Sequence, residues 1–193
     1  MTEIIIGAGA SGLACAIRLK QNMPNDEVIL LERLDTLGKK ILATGNGRCN
    51  LSNEHAKHYR EVINFFNNIG LKTKSDSEGR IYPYSNQAAT VRDMLEKECI
   101  RLKVQIITDC TVKSVDRDLI VSTDCGMFYA DSVIIAAGGM AQSSLGSNGS
   151  GYEILKNLGH RITPLSPALV QLVSSSKYPR QLKGQRVKGN MKI

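Results

Sequence analysis

The stretch Gly7-Ala8-Gly9-Ala10-Ser11-Gly12 constrains this chain more than any other feature. It follows Ile4-Ile5-Ile6, a short β-branched run that reads as a buried parallel strand. It opens a helix over about Ser11 to Asn22, with Leu13, Ala14, Ala16 and Ile17 on an apolar side. Each glycine has a separate task. Gly7 permits the tight turn, Gly9 lets backbone approach a pyrophosphate, and Gly12 lets the helix lie close on the strand. The helix start at Ala10 and Ser11 offers unpaired N–H groups and partial positive charge to phosphates. A second strand, Val28-Ile29-Leu30-Leu31, then delivers Glu32 and the adjoining Arg33. A carboxylate at that place accepts ribose hydroxyls. A glycine turn in an ordinary βαβ unit would need none of this spacing. Glu32 would repel a ribose 2′-phosphate, which leaves NAD and FAD as the dinucleotides for this first site.

A second loop arrives at once: Gly38-Lys39-Lys40-Ile41-Leu42-Ala43-Thr44-Gly45-Asn46-Gly47-Arg48-Cys49-Asn50-Leu51-Ser52-Asn53. Its glycines and asparagines permit positive φ angles and expose backbone N–H groups. Lys39, Lys40 and Arg48 add positive charge beside the first turn. This is chemistry for an anionic cofactor stretched past one Rossmann half.

With these segments the chain resembles the bacterial flavoproteins of the BaiN type, the aminoacetone-oxidase-type FAD-binding family. GAGASG, GKKILATGNGRCNLSN and Gly79-Arg80-Ile81-Tyr82-Pro83-Tyr84-Ser85 carry the resemblance. So do Ala137-Gly138-Gly139, Gly146-Ser147-Asn148-Gly149-Ser150-Gly151-Tyr152, and Leu158-Gly159-His160 leading to Pro167-Ala168-Leu169. The resemblance implies a Rossmann-like α/β domain with a parallel sheet, a β-meander crossover and the start of an inserted β domain. It implies a non-covalently bound FAD and NAD(P)H- or oxygen-coupled oxidoreductase activity on a small molecule, with NAD(P)H as the expected electron donor; one branch of the family reduces a bile-acid skeleton. Carried over by position, Gly7 to Gly12 would hold the pyrophosphate and Glu32 the adenosine ribose. Lys40, Thr44, Gly45, Gly47, Arg48, Cys49 and Asn50 would line the rest of the cofactor. Val112 would touch adenine through its backbone, and Ala137, Gly138 and Gly139 would meet the cofactor where a buried strand ends in small residues. No catalytic acid or base can be nominated.

The chain departs from the family pattern after Gly139. Met140, Ala141, Ser143 and Ser150 stand where the family tends to have lysine, serine, proline and aspartate. Family members also continue well past this length and return to the flavin domain. The resemblance therefore implies the N-terminal part of such a protein. Residues 1–165 are expected to form the FAD-binding domain. Residues 166–193 are expected to begin an inserted β domain, with a strand pair over Gln181–Ile193.

The net charge of +7 raises the question of nucleic acid. Its distribution answers it: eight basic residues and no acidic one follow Glu153, and the 17 basic and 18 acidic residues before them nearly cancel. Tyr178 is the sole aromatic residue of that basic stretch, which carries no RNA-binding signature. No nucleic-acid partner is expected. The five cysteines, 15, 49, 99, 110 and 125, contain no CxxC pair, so neither a metal site nor a disulfide framework is expected. Cys49 reads as a small residue packed near the flavin, with a redox-active thiol as the alternative. This usage fits a reducing, cytoplasmic setting. The apolar stretch Ile4–Ile17 is too short and glycine-broken to span a bilayer.

A helix is expected over Tyr59–Ile69, ended by Gly70, then a hairpin of 71–74 and 80–82. Another helix spans Gln87–Lys103, capped by Ser85 or Asn86. Val104–Ile107 should rejoin the parallel sheet, three short strands near 111–116, 118–123 and 126–130 should form the meander, and Tyr152–Leu158 should be a short helix. Arg80, Tyr82 and Ser85 are candidates for a site beyond the cofactor, with a purely structural hairpin as the alternative. His160 reads as turn support. His55 and His58 lack accompanying carboxylate spacing, so no metal is expected there.

Overall fold

A computed structural model describes residues 1–167 and, beyond them, 175, 176 and 178. The expected strand pair over 181–193 lies outside the described residues. The chain divides into two units, Met1–Ile162 and Thr163–Ile193.

In chain order the first unit begins with β1 (Thr2–Ile6), α1 (Ala10–Asn22), β2 (Glu27–Leu31) and α2 (Lys39–Ala43). Next come β3 (Ser52–Asn53), α3 (Tyr59–Asn68), β4 (Thr73–Ser75), β5 (Arg80–Pro83) and α4 (Ala88–Arg101). The last are β6 (Gln105–Ile107), β7 (Val112–Val115), β8 (Ile120–Thr123), β9 (Met127–Tyr129), β10 (Ser132–Ile135) and α5 (Ser150–Asn157). The central sheet runs β10-β1-β2-β6, and all its pairings are parallel. From β1 the chain builds outward to β2 and β6, then crosses to the other side of β1 as β10. That reversal opens a crevice at the carboxyl ends of β1 and β10, where ligands of open α/β sheets bind.

Alternation along the strands explains why this sheet is covered on both faces. Ile5, Val28 and Leu30 point to one side, into a cluster with Leu13, Ala16 and Ile17 of α1 and Val91, Leu95 and Cys99 of α4. Ile4, Ile6, Ile29 and Leu31 point to the other, against Val115 and Val121 of the meander and Ile154 of α5. The near-continuous apolar runs read from the sequence are this two-sided burial.

The meander β7-β8-β9 is antiparallel and forms its own sheet, as expected. The β4-β5 hairpin is present too, and β3 adds a third strand that sequence patterning does not reveal. The cap of α4 needs correction. Gln87 stands at the cap position without a side-chain bond to the helix. Asn86 instead takes a left-handed φ of 56°, and the Ser85 hydroxyl donates to Thr90 Oγ1 at 2.9 Å and accepts the Gln87 amide at 3.3 Å. The Ser/Asn pair shapes the turn before the helix and leaves the capping position itself to Gln87.

The expectation of no disulfide is also overturned. Cys110 and Cys125 are disulfide-bonded, with Cα atoms 5.6 Å apart. They are 15 residues apart in sequence, but the meander folds back so that its second turn meets the start of β7. Sheet topology makes this pair adjacent, and cysteine spacing carries no sign of it.

Cys99 gives the fold a defined alkaline weakness. Its thiol is fully buried, and burial, helped by the Glu98 and Glu96 charges, pushes its pKa from 9.0 to about 12. Below pH 9 the thiol is protonated in both folded and unfolded chains and contributes no pH dependence. Above pH 9 the unfolded chain loses the proton and the folded chain keeps it, so stability falls as pH rises towards 12. The slope from this group is about 1.4 kcal/mol per pH unit. Urea unfolding at about pH 8 and about pH 10.5 should show the native chain losing about 2 kcal/mol more than Cys99→Ala over that interval. Equal losses would show that Cys99 is not held neutral.

Candidate functional site

The crevice at the sheet's carboxyl edge is a cavity of about 510 Å³. Four of its walls are segments that leave the central strands, and Phe66 of α3 with Val91 and Leu95 of α4 close its floor. Gly7 to Ser11 follow β1, Glu32 to Leu34 follow β2, Cys110 to Val112 follow β6, and Ala136 to Gly138 follow β10. Lys39, Lys40, Thr44, Cys49 and Asn50 come from the second loop, and Leu145 to Asn148 from the loop before α5.

The glycine turn is built as the sequence predicts. A Cβ on Gly12 would stand 1.9 Å from the carbonyl oxygen of Gly7, so α1 can lie against β1 only because this residue has no side chain. A Cβ on Gly9 would meet nothing within 4 Å, because it would project into open space. One glycine serves packing and the other leaves open space beside the turn. The first bond between backbone groups at this end of α1 runs from Leu13 N–H to Gly9 O at 3.0 Å. The amides of Ala10, Ser11 and Gly12 precede it, as the orphan donors of a helix start. The first turn of α1 carries no acidic residue to occupy them.

Glu32 is fixed from several sides. Its carboxylate accepts Ala8 N–H at 2.8 Å and Leu34 N–H at 3.0 Å. Its own N–H donates to Ile107 O at 2.8 Å, and its carbonyl accepts Cys110 N–H at 2.9 Å. A carboxylate has about four acceptor sites, so two amides leave capacity for a diol. Removing the side chain would orphan both amides and remove the acceptor. Glu32→Ala should therefore weaken FAD binding by about 1–3 kcal/mol, read as a dissociation constant by flavin fluorescence. An unchanged constant would mean that the ribose sits elsewhere.

Two cations hold the loop between β10 and α5. Arg33 Nη2 donates to Gly146 O at 2.8 Å. Lys40 Nζ donates to Ala141 O at 3.0 Å and to the hydroxyl of buried Ser147. Both side chains also line the cavity, which places positive charge at its edge.

The second loop is left-handed at Gly45, Asn46, Gly47 and Cys49. Cys49 lines the cavity, and burial pushes its thiol pKa up, with the Thr44 hydroxyl opposing. A thiol kept protonated is a poor nucleophile, so the geometry favours the packed-residue reading over the redox-active one. Arg48 points elsewhere. Its guanidinium lies 4.6 Å from the centre of the Tyr82 ring, and its Nε donates to Gly45 O at 3.3 Å. It shapes the loop without lining the cavity.

Of the predicted residues, the cavity gathers Gly7, Gly9, Ala10, Ser11, Glu32, Arg33, Lys40, Thr44, Cys49, Asn50, Val112, Ala137 and Gly138. Gly12, Gly45, Gly47, Arg48 and Gly139 stand outside its lining. Sequence reasoning missed Cys110, Thr111 and Ser147; the glycine-rich run around Ser147 was the available signal. Arg80, Tyr82 and Ser85 are not brought to the cavity. Arg80 pairs with Asp76 at 2.8 Å and Glu78 at 2.9 Å, and Tyr82 is buried beneath Arg48, contacts that hold the hairpin together. His58 pairs with Glu61 at 2.8 Å on the surface. Among the described residues, the one group of ligand-type side chains close enough for a metal is Cys110, Asp124 and Cys125. Its two sulfurs are bonded to each other.

A glycine turn after β1, a carboxylate after β2, a meander crossover and a cavity at the topological switch point together define a Rossmann-like dinucleotide-binding domain. The family model described as HI0933-like protein Rossmann domain matches residues 1–60 and 55–178, and the chain belongs to that family. It is 44% identical to a 3-dehydro-bile acid delta(4,6)-reductase of Clostridium scindens, over 87% of this chain and 46% of that protein. It is 27% identical to a ribosomal RNA dihydrouridine synthase of Escherichia coli, over 86% of this chain and 46% of that protein. The chain spans about half the length of the curated relatives it matches. A flavocytochrome c3 fumarate reductase, in its open conformation, shares the fold with a TM-score of 0.60 at 14% identity, over 81% of this chain and 40% of that one.

Proposed function

We propose that this chain is the cofactor-holding part of an FAD-dependent oxidoreductase that draws on NAD(P)H and acts on a small molecule in the cytoplasm. The observation that carries the reading is the pairing of open space at Gly9 with a fixed carboxylate at Glu32 in one cavity. The residues present fit the group. Ala10 and Ser11, which line the cavity, would donate backbone N–H groups to the pyrophosphate, and the Glu32 carboxylate would accept the ribose hydroxyls. Val112 would border the adenine, and Lys40 with the second loop would border the remainder. FAD supplies hydride transfer when bound; the protein supplies binding, orientation and electrostatics.

The relatives' names favour a substrate class. One is a delta(4,6)-reductase of a 3-dehydro-bile acid and the other makes dihydrouridine in ribosomal RNA. Both describe saturation of a carbon–carbon double bond in a ring that bears a carbonyl. The higher identity to the bile-acid enzyme favours a small cyclic enone over RNA. Among the described residues no helix is long and apolar enough to cross a membrane.

The test is NAD(P)H oxidation by the protein with saturating FAD, with a 3-oxo-4-ene steroid or a uridine-containing RNA as acceptor. Steroid-dependent oxidation well above a free-flavin control supports the reading. Oxidation driven only by RNA would replace the substrate class. None above the control would leave a nucleotide-binding fragment without turnover.

A further inference from the structure

We infer that the Cys110–Cys125 disulfide is a redox latch on the cofactor cavity, closing its Glu32–Val112 wall when oxidised and loosening it when reduced by a thiol. The inference rests on the reading of that cavity as the FAD site.

Cys110 is buried at 1% exposure and lines the cavity together with Thr111 and Val112. Its amide donates to the carbonyl of Glu32, and the neighbouring Asp109 amide donates to Leu34 O at 3.2 Å. The segment 107–110 is thus stitched to the residues that position the Glu32 carboxylate. Cys125 sits in the exposed turn between β8 and β9, in a sheet that shares no strand with the central one. Beside it the Asp124 carboxylate accepts Thr111 N–H at 2.7 Å, and Asp124 N–H donates to Thr111 O at 3.1 Å. The disulfide therefore ties the meander's turn covalently to the cavity wall. Without it, the β7–β8 ladder still closes the hairpin from Val112↔Thr123 inward, and beyond that first pair only the two hydrogen bonds between Thr111 and Asp124 hold its open end. A covalent tie at this open end restrains Cys110 to Val112, freedom that the wall must otherwise give up when it orders around a ligand.

Burial and exposure are divided so that the latch can be opened. A thiolate from a small-molecule thiol attacks the exposed Cys125 sulfur, the S–S bond breaks, and Cys110 leaves and takes up a proton. A second thiol resolves the mixed disulfide. The protein gains two thiols, and the two reductant thiols leave as their own disulfide. Cys110 lies on the Glu32 side of the cavity, so the pair acts by positioning that wall.

The experiment measures the FAD dissociation constant by flavin fluorescence for the full chain. One sample is treated with diamide and one with dithiothreitol, each freed of reagent under nitrogen. Cys125→Ser, a change at an exposed position, is measured in parallel. Reduction should weaken binding about tenfold. Cys125→Ser should match the reduced protein and respond to neither reagent. Equal affinities in the two forms would overturn the latch, as would five free thiols titrated in denaturant after diamide. Absence of FAD binding in both forms would overturn the cofactor reading and the latch with it, a result distinct from equal binding.

Discussion

Gly9→Asp is expected to leave the protein folded and to weaken cofactor binding about a hundredfold. Gly9 has φ −76° and ψ −171°, extended backbone that any residue adopts, and a Cβ there meets nothing within 4 Å. It is also the residue that caps α1. Aspartate is among the best capping residues and interacts favourably with the helix dipole, so stability should hold or rise by a few tenths of a kcal/mol. The same carboxylate would occupy the space kept for the pyrophosphate and bring a like charge to it. One such pair at about 4 Å costs about 4 kcal/mol at an effective dielectric of about 20. Screening at the open mouth reduces this, and about 2–3 kcal/mol, a loss of about a hundredfold in affinity, is the expected result. The check is FAD titration beside thermal unfolding of the same sample. An unfolded variant, or one that binds FAD as before, would contradict the assignment of Gly9.

Gly12→Ala, three residues on, should do the opposite. Helix propensity alone favours alanine over glycine by about 1 kcal/mol. The close approach decides otherwise: the new Cβ would stand 1.9 Å from the Gly7 carbonyl oxygen, and that atom is backbone. Gly7 is itself closely confined: a Cβ there would stand 2.7 Å from Ala136 O, and its N–H is held by Leu31 O at 2.8 Å. Helix α1 must move off the sheet and take Leu13 and Ile17 away from Ile5 and Leu30. A net loss of about 3 kcal/mol or more is expected. For a chain of this size that lowers the melting temperature by about 6–12 °C. A melting temperature equal to or above that of the native chain would show that α1 does not pack on β1 as described.

These two glycines also show what the sequence makes legible. The fingerprint assigns each glycine a task from position alone, because a tight turn, a phosphate and a helix–strand contact each fix geometry within a few residues. The two-sided sheet is legible for the same reason. Runs such as Ile4-Ile5-Ile6 have no polar face, so both faces must be covered. What escaped depends on contacts distant in sequence. The Cys110–Cys125 bond requires knowing which turn of the meander returns to β7. Ser147 becomes part of the site through Lys40, 107 residues earlier in the chain. Arg48 and Tyr82 both look like site residues because each lies in a distinctive motif. They satisfy each other, a charge stacked on a ring, and that pairing is visible only in three dimensions.

The central claim is that this cavity holds FAD, and the absorbance spectrum of the purified protein before and after adding FAD tests it most directly. Flavin bands in the near-ultraviolet and blue should stay with the protein through gel filtration, and Gly9→Asp should fail to retain them. A native chain that stays colourless after saturation with FAD and gel filtration would contradict it.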